Sequence, residues 1–276
     1  TANAIGFASA VLRRRDPDAV LAFVTSDHVI EPLSAFRQAV ETAFGAVERT
    51  PEALVTFGIP PASAHTGLGY IERGAPVAGR AELYRVTAFT EKPDLETAQR
   101  YLASGRYLWN SGMFVWRADT LLEQLREHLP ESYAGLQKIA AAWDSPDRDA
   151  VAAEVYEGLP KISIDYAVME PASRTAKIFV VPMSVDWVDV GSWPSLARTL
   201  EVDPAQNACD AITAFVDSEG NIVVSDEPEH LIATVGLHDT IIVHTKDVTM
   251  VCPKAAAERV KDLVARVRDT HGERFA

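Results

Sequence analysis

Residues 20–32, VLAFVTSDHVIEP, change character part-way along. Val20, Leu21, Ala22, Phe23 and Val24 make a short apolar run, Thr25 and Ser26 turn polar, and Asp27-His28 follows before Pro32. A continuous apolar run of this length, bounded by polar residues, reads as a strand buried on both faces, the usual state in a parallel sheet. The stretch therefore predicts a buried parallel strand that presents Asp27 at its carboxyl end, the edge along which open α/β sheets hold ligands. Asp27 is then either a metal ligand or a turn residue bonded to its own backbone. The choice depends on what else arrives at that rim.

Helical and extended patterns alternate around it. Ala4–Arg15 is helix-like and closed by Asp16-Pro17, because a residue before proline is pushed out of the α region. Leu33, Phe36, Val40, Phe44 and Val47 recur at the spacing of one helical face over Leu33–Arg49. Strand-like runs occur at Ala53–Phe57, Tyr84–Glu91, Tyr107–Trp116 and Lys177–Pro182, the third interrupted at Asn110-Ser111-Gly112. Helix-like stretches lie between them at Leu95–Ser104, Asp119–His128, Tyr133–Trp143 and Asp147–Tyr156. Gly58–Gly69 and Asp186–Trp193 read as loops. After Asp203-Pro204, short β-like runs follow one another to Cys252, and Ala255–Asp269 is an amphipathic helix. The expected fold class is α/β over residues 1–205, followed by a small β-rich region, residues 206–276, closed by a helix. Periodicity leaves open whether that region is a meander or a solenoid of short parallel strands.

Composition narrows the partners. The chain of 276 residues is 47% hydrophobic, enough for a sizeable core, yet no apolar run approaches the ~20 residues of a membrane span, so no membrane partner is expected. A net charge of −13 argues against nucleic acid held on a broad basic face. The first residues place an apolar segment ahead of Arg13–Arg15, the reverse of a secretory signal. Cys209 and Cys252 are the only cysteines, too few for a disulfide framework, which fits a reducing cytoplasm.

Four carboxylates end or follow the extended runs: Asp27, Glu91, Asp186 and Asp189. Two such groups converging from different strand ends are a normal way to hold Mg²⁺, which takes oxygen ligands and keeps waters and phosphate oxygens in its shell. Lys92 stands at the same rim and can meet a phosphate as a point charge, or be a solvated surface lysine. His28 reads as a hydrogen-bonded structural histidine. Thr66-Gly67-Leu68-Gly69-Tyr70 has two glycines at which backbone can approach a ligand, although a plain loop has the same look. Trp109, Asn110 and Gly112 join a flat apolar face to an amide and bare backbone, a set that suits a sugar as well as a core. There is no G-x-S-x-G elbow, P-loop or dinucleotide fingerprint.

In order, Ser26–Ile30 (SDHVI), Thr66–Ile71 (TGLGYI), Phe89–Pro93 (FTEKP), Trp109–Phe114 (WNSGMF), Ser163–Glu170 (SIDYAVME) and Trp187–Trp193 (WVDVGSW) resemble the bacterial mannose-1-phosphate guanylyltransferases, or GDP-mannose pyrophosphorylases. Thr1–Ile5 also looks like that family's helix before the Asp-His strand. The resemblance implies a Rossmann-like nucleotidyltransferase domain, a mixed sheet with flanking helices, followed by a small β-helix-type region used in forming a homodimer. It implies the reaction of GTP with mannose 1-phosphate to give GDP-mannose and pyrophosphate. Asp27 and Asp189 would hold Mg²⁺, Lys92 would bind the sugar phosphate, Glu91 would bind sugar hydroxyls, and Gly69, Tyr70, Asn110 and Gly112 would line the sugar site. Asp165 and Tyr166 would support it.

The resemblance has departures. Leu68 stands where the family commonly has Tyr. The family's glycine-rich G-G-x-G-T-R-L loop, which wraps the triphosphate, and its base-reading stretch do not occur. Both belong upstream of Thr1, so the chain is expected to be an inactive fragment of an active enzyme. Two other readings stand beside this one: a non-catalytic sugar-nucleotide-binding subunit, and a related transferase using another sugar phosphate or nucleotide. At the other end the chain closes after one helix, which implies a transferase without a following isomerase domain.

Overall fold

Asp16-Pro17 does end the first helix: in the computed structural model, which describes residues 1–175 and 177–275, α1 runs Ala2–Arg15 and finishes on three arginines, cations suited to the negative end of a helix. The chain continues through β1 (Val20–Phe23), β2 (His28–Glu31), α2 (Leu33–Arg49), β3 (Ala53–Ile59), β4 (Tyr70–Val77), β5 (Arg80–Thr90), α3 (Leu95–Ser104) and β6 (Tyr107–Arg117). Three helices follow, α4 (Ala118–His128), α5 (Pro130–Ala142) and α6 (Arg148–Glu157), then a π-turn at Asp165–Met169 running into α7 (Glu170–Ala172), and β7 (Lys177–Pro182). Next come β8 (Asp186–Asp189), α8 (Trp193–Ala197), β9 (Glu201–Val202), β10 (Ala208–Asp210), β11 (Ile212–Val216), β12 (Ile222–Ser225), β13 (Leu231–Val235), β14 (Thr240–His244), β15 (Thr249–Pro253) and α9 (Val260–His271). Packing divides these into two units: Thr1–Ser26 with Ile30–Asp186, and Asp27–Val29 with the described chain from Trp187 onward.

The first unit is built on a six-stranded mixed sheet in the order β1-β6-β3-β7-β5-β4, with β4 also pairing the start of β6. Strand β3 reads ALVTFGI and every residue of it is buried, so its apolar run is a strand covered on both faces. It pairs parallel to β7 and antiparallel to β6. On one side of the sheet Leu54, Ile71, Phe114 and Trp116 meet Leu121, Leu125, Leu136 and Ile139 of α4 and α5. Each such side chain contributes roughly 1.5–3 kcal/mol by leaving water. Gly6 lets α1 close on this layer: a Cβ there would lie 2.6 Å from Leu125 and 2.7 Å from Leu136.

The expectation of a buried parallel strand at Val20–Val24 is corrected. β1 is an edge strand, paired antiparallel to β6 alone among the described strands, and Val24 is exposed. A run of apolar residues states how much surface a strand buries, not the direction of its neighbour. Asp27 does not end that strand in the main sheet either; β2 follows at once and pairs with β8 in a separate two-stranded ribbon. Asp186–Trp193, expected as loop, therefore begins as a strand, and Tyr70–Val77 is a strand that the sequence did not announce, because Gly74 and Pro76 interrupt its alternation.

The second unit resolves the choice between meander and solenoid. β10, β12 and β14 pair in parallel, as do β11 and β13, so the chain winds in coils rather than folding back. Gln206, Gly220 and Asp239 all have positive φ and each immediately precedes the first strand of a coil or its Asn or Thr lead-in. Asp217 and Gly236, also at positive φ, immediately follow β11 and β13. Inside, the Asn207 carboxamide oxygen accepts from the Asn221 backbone N–H (3.0 Å), and the Asn221 oxygen accepts from Thr240 N–H (3.0 Å). Each coil thus caps the next, satisfying backbone groups that would be costly to bury alone.

Candidate functional site

Two clusters gather the residues picked out from sequence. In the first unit, strand register does the positioning. Tyr70 pairs with Thr90 of β5 and with Trp109 of β6, so the next residues outward, Gly69, Glu91 and Asn110, meet at one point. Asn110 N–H donates to Gly69 O at 2.8 Å. A Cβ on Gly69 would stand 2.4 Å from Glu91 Oε2 and 3.2 Å from Asn110 Cβ, so the bare glycine leaves just the room the Glu91 carboxyl uses. Glu91 Oε2 is buried and accepts no hydrogen bond. An unmet buried polar group costs about 1–3 kcal/mol, so this oxygen is a candidate to take up a ligand hydroxyl.

Asn110 is held on every side. Its Oδ1 accepts from Thr56 Oγ1 (3.2 Å) and Gly112 N–H (3.3 Å), and its Nδ2 donates to Asp165 Oδ1 (2.8 Å). Gly112 takes φ of +70°, the kink that turns its N–H back onto Asn110 and interrupts the β3–β6 register. Burial pushes the Glu91 carboxyl above its ordinary pKa, and the neighbouring Asp165 charge adds to that, while Lys92 opposes it. Burial likewise raises Asp165, against the Asn110 hydrogen bond. Lys92 Nζ lies 3.5 Å from Glu91 Oε1 with half its side chain in solvent. Its φ of 46° is a left-handed conformation that costs a non-glycine residue of order 1–3 kcal/mol, here at a residue between Glu91 and Pro93.

Gly69, Glu91, Lys92, Asn110 and Gly112 are thus brought together. Tyr70 is adjacent but its ring is in the core, and its hydroxyl accepts from His65 N–H at 2.9 Å, so it braces the 60–69 loop. Tyr166 is exposed, whereas Asp165 reaches Asn110 directly. Thr56 was not singled out from sequence. Its one signal is a lone hydroxyl inside the apolar run ALVTFGI, a buried polar group that must find partners.

The second cluster surrounds His28. Val190 N–H donates to Asp27 O at 2.9 Å, which ties Asp27 to the chain just past Asp189. Trp187 Nε1 donates to His28 Nδ1 at 3.1 Å, and the two rings meet edge-on. Burial lowers the His28 pKa although Asp189 and Asp27 both act to raise it. Asp27 is exposed, Asp189 half-buried, and Asp186 exposed at the start of β8. Among the described residues no group of three or more His, Cys, Asp or Glu side chains is placed to hold a metal ion. Two carboxylates are nevertheless the hard-oxygen donor set that suits Mg²⁺, which binds through one or two carboxylates and completes its shell with waters and phosphate oxygens.

Residues 1–205 match the family model described as nucleotidyl transferase. The chain belongs to the nucleotidyl transferase family. Residues 213–267 of this nucleotidyl transferase match a second model, the MannoseP isomerase/GMP-like beta-helix domain, in keeping with the parallel coils. The expected likeness to mannose-1-phosphate guanylyltransferases is borne out. The chain is 39% identical over 274 residues to the mannose-1-phosphate guanylyltransferase of Escherichia coli (strain K12), covering 97% of this chain and 56% of that protein. It is 41% identical over 272 residues to the xanthan biosynthesis protein XanB of Xanthomonas campestris pv. campestris (strain B100), covering 97% and 55%. A crystal structure described as mannose-1-phosphate geranyltransferase from Thermus thermophilus superposes with a TM-score of 0.81 at 31% identity, over 97% of this chain and 75% of that one. The chain spans little more than half the length of the curated relatives it matches. No helix among the described residues is long and apolar enough to cross a membrane.

Proposed function

We propose that the protein carrying this chain is a mannose-1-phosphate guanylyltransferase, making GDP-mannose and pyrophosphate from GTP and mannose 1-phosphate in the cytoplasm. One observation carries the sugar half of the reading: the unpartnered, buried Glu91 carboxyl oxygen beside bare Gly69 and the locked Asn110 amide. That arrangement asks for a neutral ligand with hydroxyl donors, which a hexose supplies. Lys92, with half its side chain in solvent and its ammonium 3.5 Å from Glu91, is suited to the sugar phosphate that lies just beyond those hydroxyls. Residues 1–205 would do the transfer and residues 206–276 the assembly.

The reaction is an in-line displacement in which a phosphate oxygen of the sugar phosphate attacks the α-phosphorus of GTP and pyrophosphate leaves. The chain's own groups bind, orient and offset charge, so catalysis is positioning and electrostatics without a covalent enzyme intermediate. Asp27 and Asp189 would hold Mg²⁺; when bound, the ion supplies positive charge against the phosphate oxygens. His28, next in the chain to Asp27, is held by the Trp187 Nε1 hydrogen bond and so braces that part of the chain.

A homodimer is part of the proposal. Ile212 and Leu231, Ala214 and Ala233, and Val216 and Val235 pair across β11 and β13, and the four larger side chains all face outward, exposed. A flat apolar strip of this kind suits burial against a second copy.

The test is pyrophosphate release by the full-length protein with a panel of sugar 1-phosphates and nucleoside triphosphates. Turnover should require Mg²⁺ and favour mannose 1-phosphate with GTP. Asp27→Asn and Asp189→Asn should each lower turnover by about 100-fold or more while the melting temperature moves little. Wild-type turnover in both variants would remove the metal assignment. A preference for another sugar phosphate would replace the substrate.

A further inference from the structure

Thr56 is fully buried in the middle of β3, where its neighbours in sequence are Val55 and Phe57. A hydroxyl in that position carries desolvation cost that valine, nearly the same shape, would not. Its oxygen lies 3.2 Å from Asn110 Oδ1 and 3.1 Å from Met113 O. Gly112 N–H, which can only donate, reaches the same Asn110 oxygen at 3.3 Å. The Thr56 hydroxyl has a single proton, shared between Asn110 Oδ1 and Met113 O; together with the Gly112 N–H it makes that side of the amide the oxygen side, which leaves Nδ2 to face the other way. One Nδ2 hydrogen goes to Asp165 at 2.8 Å.

The second Nδ2 hydrogen has a different destination. The point that a Gly69 Cβ would occupy lies 3.6 Å from Asn110 Nδ2 and 2.4 Å from Glu91 Oε2. Above Gly69 there is therefore one donor and one acceptor side by side. A sugar hydroxyl engaging this pair would donate to Glu91, whose carboxyl fills the room above Gly69 and must draw back to admit it, and accept from Asn110. Turning the amide over would set Oδ1 against Asp165 and present two acceptors to the ligand.

We infer that Thr56 is a specificity-setting positioning residue: its hydroxyl fixes the orientation of Asn110, so that the Asn110–Glu91 pair reads one sugar hydroxyl as both donor and acceptor. This rests on the transferase reading of the same site. The residue never touches the sugar. It acts through the polarity of the amide, and its effect is confined to substrates that carry the hydroxyl in question. Sites built to hydrogen-bond a hydroxyl reject the analogue without it far more strongly than apolar pockets reject a missing methylene.

The experiment uses the full-length protein with GTP and a set of monodeoxy mannose 1-phosphates. In the wild type one member of the set should lose about 100-fold or more in kcat/KM relative to mannose 1-phosphate. In Thr56→Val that penalty should shrink to about 10-fold or less, because mannose 1-phosphate itself binds worse while KM for GTP stays put. Thr56→Ser should restore the wild-type penalty. If the valine variant melts below the assay temperature, Thr56→Cys, a weaker donor of similar shape, serves for the same comparison. An undiminished penalty in the hydroxyl-less variant, or a serine variant that behaves like valine, overturns the inference. Absence of turnover by the wild type with every sugar phosphate overturns the transferase reading as well, so the two failures are told apart.

Discussion

Gly69→Ala is the most informative single change in the sugar cluster. Gly69 is not among the glycines with left-handed φ, so alanine meets no backbone strain of that kind, and the effect is steric. The new Cβ would fall 2.4 Å from Glu91 Oε2 and 3.2 Å from Asn110 Cβ. The second contact is tight but asks for only a small adjustment. The first requires the carboxyl to retreat by about 1 Å, given that carbon–oxygen contacts settle near the separations at which dispersion is optimal. Because Oε2 is the far end of a flexible side chain, folding should lose little, at the low end of the roughly 1–3 kcal/mol of overpacked cores. That corresponds to a fall in melting temperature of about 2–4 °C for a chain of this size. Binding should suffer far more, since a displacement of about 1 Å in a positioning group can cost on the order of 100-fold. Steady-state pyrophosphate release, with mannose 1-phosphate and GTP varied in turn, separates the effects. The expected result is a large loss in kcat/KM for the sugar phosphate beside a nearly unchanged KM for GTP and a small thermal shift. Wild-type sugar kinetics in Gly69→Ala would refute the placement of the sugar against Glu91. A collapse of folding would refute the view that Glu91 can yield.

Two further outcomes follow from the same geometry. Burial holds the Glu91 carboxyl above the 4.5 of the unfolded chain, so the folded state keeps a proton that the unfolded state gives up; the stability this confers is full below about pH 4.5 and is lost as pH rises through the raised value. Glu91→Gln should therefore gain thermal stability over the wild type between about pH 4.5 and neutrality, while kcat/KM for mannose 1-phosphate drops, and a pH-independent difference in melting temperature would count against a buried, ionising Glu91. On the coils, Val235 is 73% exposed at the end of the apolar strip, and Val235→Asp should turn a dimer into a monomer in sedimentation velocity; a wild type that sediments as a monomer at micromolar concentration would end the dimer proposal.

Much of the sugar cluster was legible as residue types and order. Gly69, Glu91, Lys92, Asn110 and Gly112 carry their chemistry wherever they stand, and the six short motifs tie them to one family because order along the chain is a sequence property. Thr56 and Asp165 were harder to see. Thr56 is one hydroxyl in an apolar run, and its meaning comes from partners 54 and 57 positions away. The coils were readable as short strands but not as parallel ones, since a short β-like run is the same whichever way its neighbour points. What the chain alone determined is local: where the first helix stops at Asp16-Pro17, which runs are apolar enough to be covered, and which carboxylates and glycines are available. Tertiary structure decided the relations that need a second segment. It made Val20–Phe23 an antiparallel edge, set Asp27 into a ribbon with β8 beside Asp189, and brought Glu91, Gly69 and Asn110 to one point through the register of β4 with two partners. The physical reason is that propensity and periodicity act within a few residues, whereas strand register and the satisfaction of buried polar groups are settled by whichever distant backbone arrives.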